Sequence, residues 1–509
     1  MRKNRIPELD GLRVLMIAVV SWFHIWQQSW LFPDIRISGE TRSWLTSALG
    51  IDLRLYWLVQ TGYIWVDGTV LLSVFLLYLP WAEANRTGAP VPSAKDFYYR
   101  RARRIIPAYY FIVLCHLLVI ALPWKWYGND MPRMVKDLVT HLTFTFTRYP
   151  DTSPPFTGMP GAAWTLAVLV HGYLLFPLMA RGLRKHPAPV LGGMILACFA
   201  FRAWCLWSMS SYSTVVNRLV NFLDVYVLGV LCATGYDALR ARKEKKAPGR
   251  LKKRIPARNR YMTETVATVL FLLFLYGLIR MLQIQAKADH FSKTSLSAWQ
   301  TACAPAFAAC AACLSMIGIL CFSGRGAGPD RQKTEEARQW KLVVLKTVLI
   351  LLFYAALYGL IRVMLAMIVD RAGEMQAWQM LFRPVFALCF AGLIMTAPFA
   401  LLPLRKLLGN PVTRFLAGIS MNYYLIHQTV AVHLKTRLQI PWTDSYLGED
   451  FLLDGLYPNQ INDSVWQGQY TLACFAVSLV MAVAVTYLVE KPCARLFDQI
   501  KTARRKASC

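Results

Sequence analysis

Stretches of about twenty apolar residues recur along this chain, and no other feature constrains its fold so tightly. At ~1.5 Å per residue, about twenty helical residues cross a hydrocarbon core of ~30 Å. Lipid offers no partner to an unpaired backbone N–H or C=O, so each stretch must close its own hydrogen bonds as a helix. Spans are expected near 14–31, 62–82, 105–122, 162–180, 188–208, 216–236, 262–283, 299–322, 342–369, 378–402, 415–434 and 469–490. The fold class is therefore all-α, a polytopic transmembrane helix bundle of about 12 spans, expected to form one membrane-embedded domain over 1–509. Charged residues make up only 17% of the 509, which excludes the several soluble domains that such a length would otherwise imply.

The basic residues orient the bundle. With the N-terminus placed inside, 38 of the 56 Lys and Arg fall in inside segments, 12 in outside loops, and Arg202, Arg218, Arg280, Lys346, Arg362 and Arg383 lie within spans. This threefold bias follows the positive-inside rule and predicts both termini on the cytosolic side. It also disposes of a nucleic-acid role, because the net charge of +28 is scattered in clusters between apolar segments. The densest cluster, loop 237–261, is expected at the cytosolic face against anionic lipid of the bilayer.

None of the twelve cysteines lies in an outward loop, so no structural disulfide is expected. Cys310 and Cys313 form a CxxC inside an Ala-rich span with no second pair, which reads as small residues packing helices. Arg2, Lys3 and Arg5 precede the first apolar stretch as in a signal peptide, but no A-x-A-like cleavage site follows, so that stretch should persist as a span. The outward loop 435–468 mixes Asp444, Glu449, Asp450, Asp454 and Asp463 with Trp442, Tyr446, Tyr457 and Trp466, a composition that suits either sugar binding or an interfacial belt.

One segment is repeated. Tyr276-Gly277-Leu278-Ile279-Arg280 recurs as Tyr358-Gly359-Leu360-Ile361-Arg362, and Ala298-Trp299-Gln300 as Ala377-Trp378-Gln379. Residues 262–322 and 342–402 are thus expected to be a duplicated helical hairpin. Arg383 in the second copy stands where the first has Ala304. A charge in the membrane is costly and tends to serve function.

Two constellations suit chemistry. His24 follows Arg13 by eleven residues, about 16 Å and three helical turns deeper, which places an imidazole near mid-membrane. A neutral imidazole accepts and returns a proton near pH 7 and so serves as a general base toward a hydroxyl; it is equally a common packing residue. The second is Arg100-Arg101-Ala102-Arg103-Arg104, where the third span meets the cytosol. Arg101 and Arg104, three residues apart, share a helical face, and their guanidinium forks match phosphate. A stop-transfer cluster would carry the same charges.

With these residues in view the sequence resembles the acyltransferase-3 family of integral membrane O-acyltransferases. Glu8-Leu9-Asp10-Gly11-Leu12-Arg13, followed after ten residues by His24, is similar to the family's first-helix signature. Val66-Asp67 with Ser73 resembles its second helix, and Arg101 and Arg104 before Ile105-Ile106-Pro107 its RxxR element. Gly418-Ile419-Ser420-Met421-Asn422-Tyr423-Tyr424-Leu425-Ile426-His427 resembles a later helix, and Glu490-Lys491-Pro492 the closing EkP. The resemblance implies transfer of an acyl group, usually acetyl from acetyl-CoA, to a hydroxyl of an extracytoplasmic glycan or other envelope acceptor. It implies His24 as the catalytic histidine with Arg13 its companion, Arg101 and Arg104 as ligands of the coenzyme A phosphates, and Glu490 as a supporting polar residue. No metal is expected. The family's fourth helix reads like W-S-L-x-x-E-x-x-F-Y, whereas here Trp164-Thr165-Leu166-Ala167-Val168-Leu169-Val170-His171-Gly172-Tyr173 has no carboxylate, and His171 is a candidate substitute.

Two other readings stay open. Arg202, Arg218, Asp224, Arg362 and Arg383 could line the route of a transporter for an acyl donor or lipid-linked sugar. A chain lacking the fourth-helix carboxylate could also be a silent membrane sensor. The family resemblance places the protein in a bacterial plasma membrane.

Overall fold

A computed structural model describes residues 5–29, 38–51, 53, 55–152, 158–209, 215–245, 257–287, 334–369, 375–437 and 464–507. Among them the chain is helical, with no strand. The helices run α1 (Glu8–Ser29), α2 (Gly39–Leu49), α3 (Tyr56–Gln60), α4 (Trp65–Thr87), α5 (Ala94–His116), α6 (Met131–Leu142), α7 (Trp164–Lys185) and α8 (Pro187–Ser208). They continue with α9 (Leu223–Lys245), α10 (Ala257–Lys287), α11 (Thr334–Val369), α12 (Met375–Thr396), α13 (Leu402–Leu408), α14 (Pro411–Arg437), α15 (Ser464–Ala484) and α16 (Lys491–Ala507), with a π-helical stretch Val485–Glu490 joining the last two.

Ten helical segments among the described residues are long and apolar enough to cross a membrane. They coincide with ten of the twelve expected spans. The expected span 299–322 lies outside the described residues, and with it half of the first copy of the proposed duplicated hairpin. The expected span 415–434 falls within α14, whose 27 residues extend about 40 Å. Its polar residues, among them Ser420, Asn422, His427 and Gln428, make it less apolar than the ten. Those residues face inward: Ser420, Asn422 and His427 are all buried.

The outer faces of the spans are apolar, with Leu174, Leu175 and Leu178 of α7, Leu272 and Leu273 of α10 and Leu351 and Leu352 of α11 more than half exposed. Such a girdle is tolerable only where lipid replaces water. The seven described cysteines, Cys115, Cys198, Cys205, Cys232, Cys389, Cys474 and Cys493, are free thiols. Loop 435–468 and most of the basic loop 237–261 lie outside the described residues.

α4 lies at the centre and packs against α1, α7, α9 and α12. Close approach is secured by small residues: a Cβ at Gly229 of α9 would stand 2.8 Å from Val74 of α4. Beside this group, α14 packs against α1 on one side and α15 on the other. Between the spans, α6 is amphipathic. Its buried side carries Asp137, which accepts hydrogen bonds from the Tyr127 hydroxyl (2.6 Å) and the Gly158 N–H (3.0 Å). Met131, Val135 and Val139, four residues apart, point outward.

Four charges are wholly buried in the bundle. Arg383 of α12 donates to Asp67 of α4 (3.1 Å), and Arg202 of α8 to Asp224 of α9 (2.8 Å). Arg383 also donates to the Asn221 carbonyl (3.1 Å) and Arg202 to the Asn221 side chain (2.7 Å). Each charge thus faces one of opposite sign, which offsets part of the cost of burying it. Arg362 of α11 is exposed instead.

Candidate active site

The first-helix motif is partly a brace. Glu8 is buried and accepts from Arg405 of α13 (2.8 Å), while Asp10 pairs with Arg5 (2.8 Å). Gly11 lies so near the backbone of Leu408 that a Cβ there would sit 2.2 Å from its carbonyl oxygen. These contacts fix the start of α1 against α13. Arg13, in the next half-turn, lines a cavity instead.

That cavity, of about 230 Å³, lies between α1, α4, α5, α7 and α14. Arg13, Arg101 and Arg104 all line it. The cluster at 100–104 therefore divides by function. Arg103 is bonded to Asp498 of α16, whereas Arg101 and Arg104, on the neighbouring face, turn into the cavity. Arg101 is held by two rings, lying 5.4 Å from the centroid of Tyr173 and 5.7 Å from that of Phe97. The α5 face is set by the N-cap Ser93, which accepts from the Asp96 N–H (3.1 Å), and by Lys501 of α16 bonded to Asp96 (2.7 Å). No carboxylate is among the lining residues. Leu169, where the resembled fourth-helix pattern has Glu, is part of the wall; His171 is not.

Deeper in the bundle, the walls of α1 and α14 meet through polar pairs. Tyr424, at the edge of the cavity, shares a hydrogen bond with Thr165 of α7 (2.6 Å). Ser21 of α1 shares one with the Tyr423 hydroxyl (2.8 Å). One turn further, His24 Nδ1 lies 2.9 Å from His427 Nε2. His427 is fully buried, with its Nδ1 2.7 Å from the Tyr424 carbonyl oxygen. Tyr423 stacks on its ring, the planes 7° apart. His24 itself is half-buried.

Of the residues singled out from sequence, the structure brings Arg13, Arg101 and Arg104 together around one cavity. His24 stands seven residues, about 10 Å, beyond the cavity-lining Ile17 on the same helix. Glu490 is elsewhere: its carboxylate accepts from Asn422 (2.7 Å), five residues or about 7.5 Å along α14 from His427. His427 is legible in the sequence as the end of the Gly418–His427 motif, but neither a role for it nor its pairing with His24 was. A signal for it existed, since α1 and α14 both begin at the arginine-bearing end and each histidine stands sixteen residues from the start of its helix.

Fold and site together define an integral membrane protein whose helices enclose a cationic cavity and, beyond it, a hydrogen-bonded histidine pair. Residues 6–328 match the model of the acyltransferase-3 family, described as an acyltransferase domain, and the chain belongs to that family. It is a membrane acyltransferase. The matched residues include Arg13, His24, Arg101 and Arg104, while α14 and Glu490 follow them in the chain. No curated protein and no solved structure matches the chain.

Proposed function

We propose that this protein is an O-acyltransferase that moves an acetyl group from cytosolic acetyl-CoA to a hydroxyl of an extracytoplasmic glycan or other cell-envelope acceptor, in a bacterial plasma membrane. The observation that carries the reading is the cavity with three guanidinium groups and no carboxylate among its lining residues. Like charges gathered in a partly desolvated space repel one another unless an anion joins them. A ligand bearing several phosphates answers that need, and guanidinium forks suit its oxygens. The excess of Lys and Arg in the segments flanking this end of the bundle supports a cytosolic mouth, with both termini inside.

In this reading Arg101, Arg104 and Arg13 bind the donor's phosphates, and its thioester extends toward His24. Nε2 of His24 takes the proton from the acceptor hydroxyl while that oxygen forms its bond to the acyl carbon. The C–S bond then breaks, and the departing sulfur recovers the proton from His24. Glu490 acts through Asn422 by holding α14, which carries the cavity residues Ser420 and Tyr424.

The transporter reading is less well supported. Arg202, Asp224 and Arg383 are closed into buried ion pairs, which leaves none of them free to line a route.

The test is binding and transfer by the purified protein in liposomes. Acetyl-CoA should bind far more tightly than acetyl-pantetheine, which lacks the nucleotide phosphates, and label should appear on an envelope glycan. Equal affinity for the two donors overturns the proposed cavity role, and undiminished transfer by His24→Ala removes the histidine's role.

A further inference from the structure

We propose that His427 is a positioning residue that fixes the tautomer of His24 and so decides which of its nitrogens accepts a proton.

His427 Nδ1 lies 2.7 Å from the Tyr424 carbonyl oxygen. A carbonyl only accepts, so Nδ1 carries the hydrogen. In the neutral ring Nε2 of His427 is then a lone-pair acceptor. That nitrogen lies 2.9 Å from His24 Nδ1, and a bond at this distance needs one hydrogen between the two. His24 Nδ1 must supply it. His24 is therefore held as the Nδ1–H tautomer, and its lone pair sits on Nε2.

The lock is rigid because His427 has no freedom to turn. It is fully buried and stacked on Tyr423, whose hydroxyl is tied to Ser21 of α1 (2.8 Å). His24 is only half-buried. When Nε2 takes a proton the ring becomes an imidazolium, and the same Nδ1–H bond to His427 becomes charge-assisted without any group moving. A second imidazole thus orients the first and stabilises its cation, with a neutral acceptor where a carboxylate could have served.

The catalytic consequence rests on the reading of His24 as the proton acceptor of acyl transfer; the tautomer does not. The experiment uses full-length protein in nanodiscs, 15N-labelled at histidine, with His24→Gln assigning the resonance. In the wild type, His24 should carry its proton on Nδ1. In His427→Phe it should shift toward Nε2–H, and in His427→Gln, whose amide oxygen accepts, it should return to Nδ1–H. With acetyl-CoA as donor, His427→Phe should lose about 100-fold in kcat, the scale of a mispositioned general base, with KM for the donor unchanged. His427→Gln should recover most of that loss. A wild-type His24 protonated on Nε2 overturns the proposal, whether or not the variants fold. A folded His427→Phe with wild-type kcat overturns it as well. An Nδ1–H His24 in a protein that transfers no acetyl group supports the lock while refuting the proposed reaction.

Discussion

Gly172 of α7 lies directly against the phenolic oxygen of Tyr226 of α9, so near that a Cβ at position 172 would stand 1.8 Å from it. Tyr226 is buried, and its hydroxyl finds no hydrogen-bond partner among the described residues. Tyr173, the next residue along α7, borders the cavity beside Arg101.

Gly172→Ala should therefore destabilise the protein by about 1–3 kcal/mol, the usual cost of overpacking. Tyr226→Phe, which only removes an unsatisfied hydroxyl, should be near neutral or stabilising. The double variant should recover part of the loss, because the removed oxygen is the nearest obstacle. Thermal unfolding of the three variants in one detergent measures the coupling, and strictly additive effects would refute this account of the contact.

The arginines at 100–104 should separate in a binding assay. Loss of Arg104, which faces the cavity, should weaken acetyl-CoA binding by about 10- to 100-fold, equivalent to one charge-assisted interaction of ~1.5–3 kcal/mol. Arg103→Ala removes an exposed ion pair with Asp498 and should change donor affinity little, since such pairs are worth about 0–1 kcal/mol. Calorimetric titration distinguishes the two, and equal losses would mean that the cluster acts only through net charge.

Breaking the Asp67–Arg383 pair on one side should be costly. Asp67→Leu leaves a fully buried guanidinium without its carboxylate and should lose about 3–5 kcal/mol. Asp67→Leu with Arg383→Met should be far milder, because neither charge remains to be desolvated. Denaturation of both variants is the check. A double variant as unstable as the single one would show that the pair does more than neutralise itself.

Leu169→Glu would restore a carboxylate to the fourth-helix pattern and place it in a wall shared with Arg13, Arg101 and Arg104. It should pair with one of these guanidiniums and weaken donor binding by roughly tenfold or more, the effect of diverting one charge-assisted contact. A donor titration of this variant against Leu169→Gln isolates the charge. Equal affinities for the two would mean that position 169 does not sense the arginines.

Much of this architecture was legible in sequence, for a physical reason. A lipid-facing helix must be apolar over its full length, so hydropathy alone located ten of the helices. α14 was legible through length and motif although its polar stripe lowers its hydropathy, because that stripe serves the interior. Arg13 and, separately, Arg101 and Arg104 were legible as residues of the membrane boundary, but as two constellations; that all three line one cavity depends on how α1 and α5 are set around it. The split between Arg103 and its neighbours was not legible, since it depends on Asp498, almost four hundred residues away. The pairing of His427 with His24 was likewise hidden: it requires knowing that α1 and α14 are neighbours, and periodicity within a helix says nothing about which helix lies beside it. The first-helix motif was legible as a signature but not as a brace, because Leu408 and Arg405 supply the other half of it.

The two buried ion pairs have an electrical consequence. A unit charge carried through the membrane field exchanges about 2.3 kcal/mol with every 100 mV, so a lone arginine at position 202 or 383 would feel a net pull from that field. Closed against Asp224 and Asp67, each pair presents the field with no net charge to pull on. The field therefore exerts little net force on this part of the bundle.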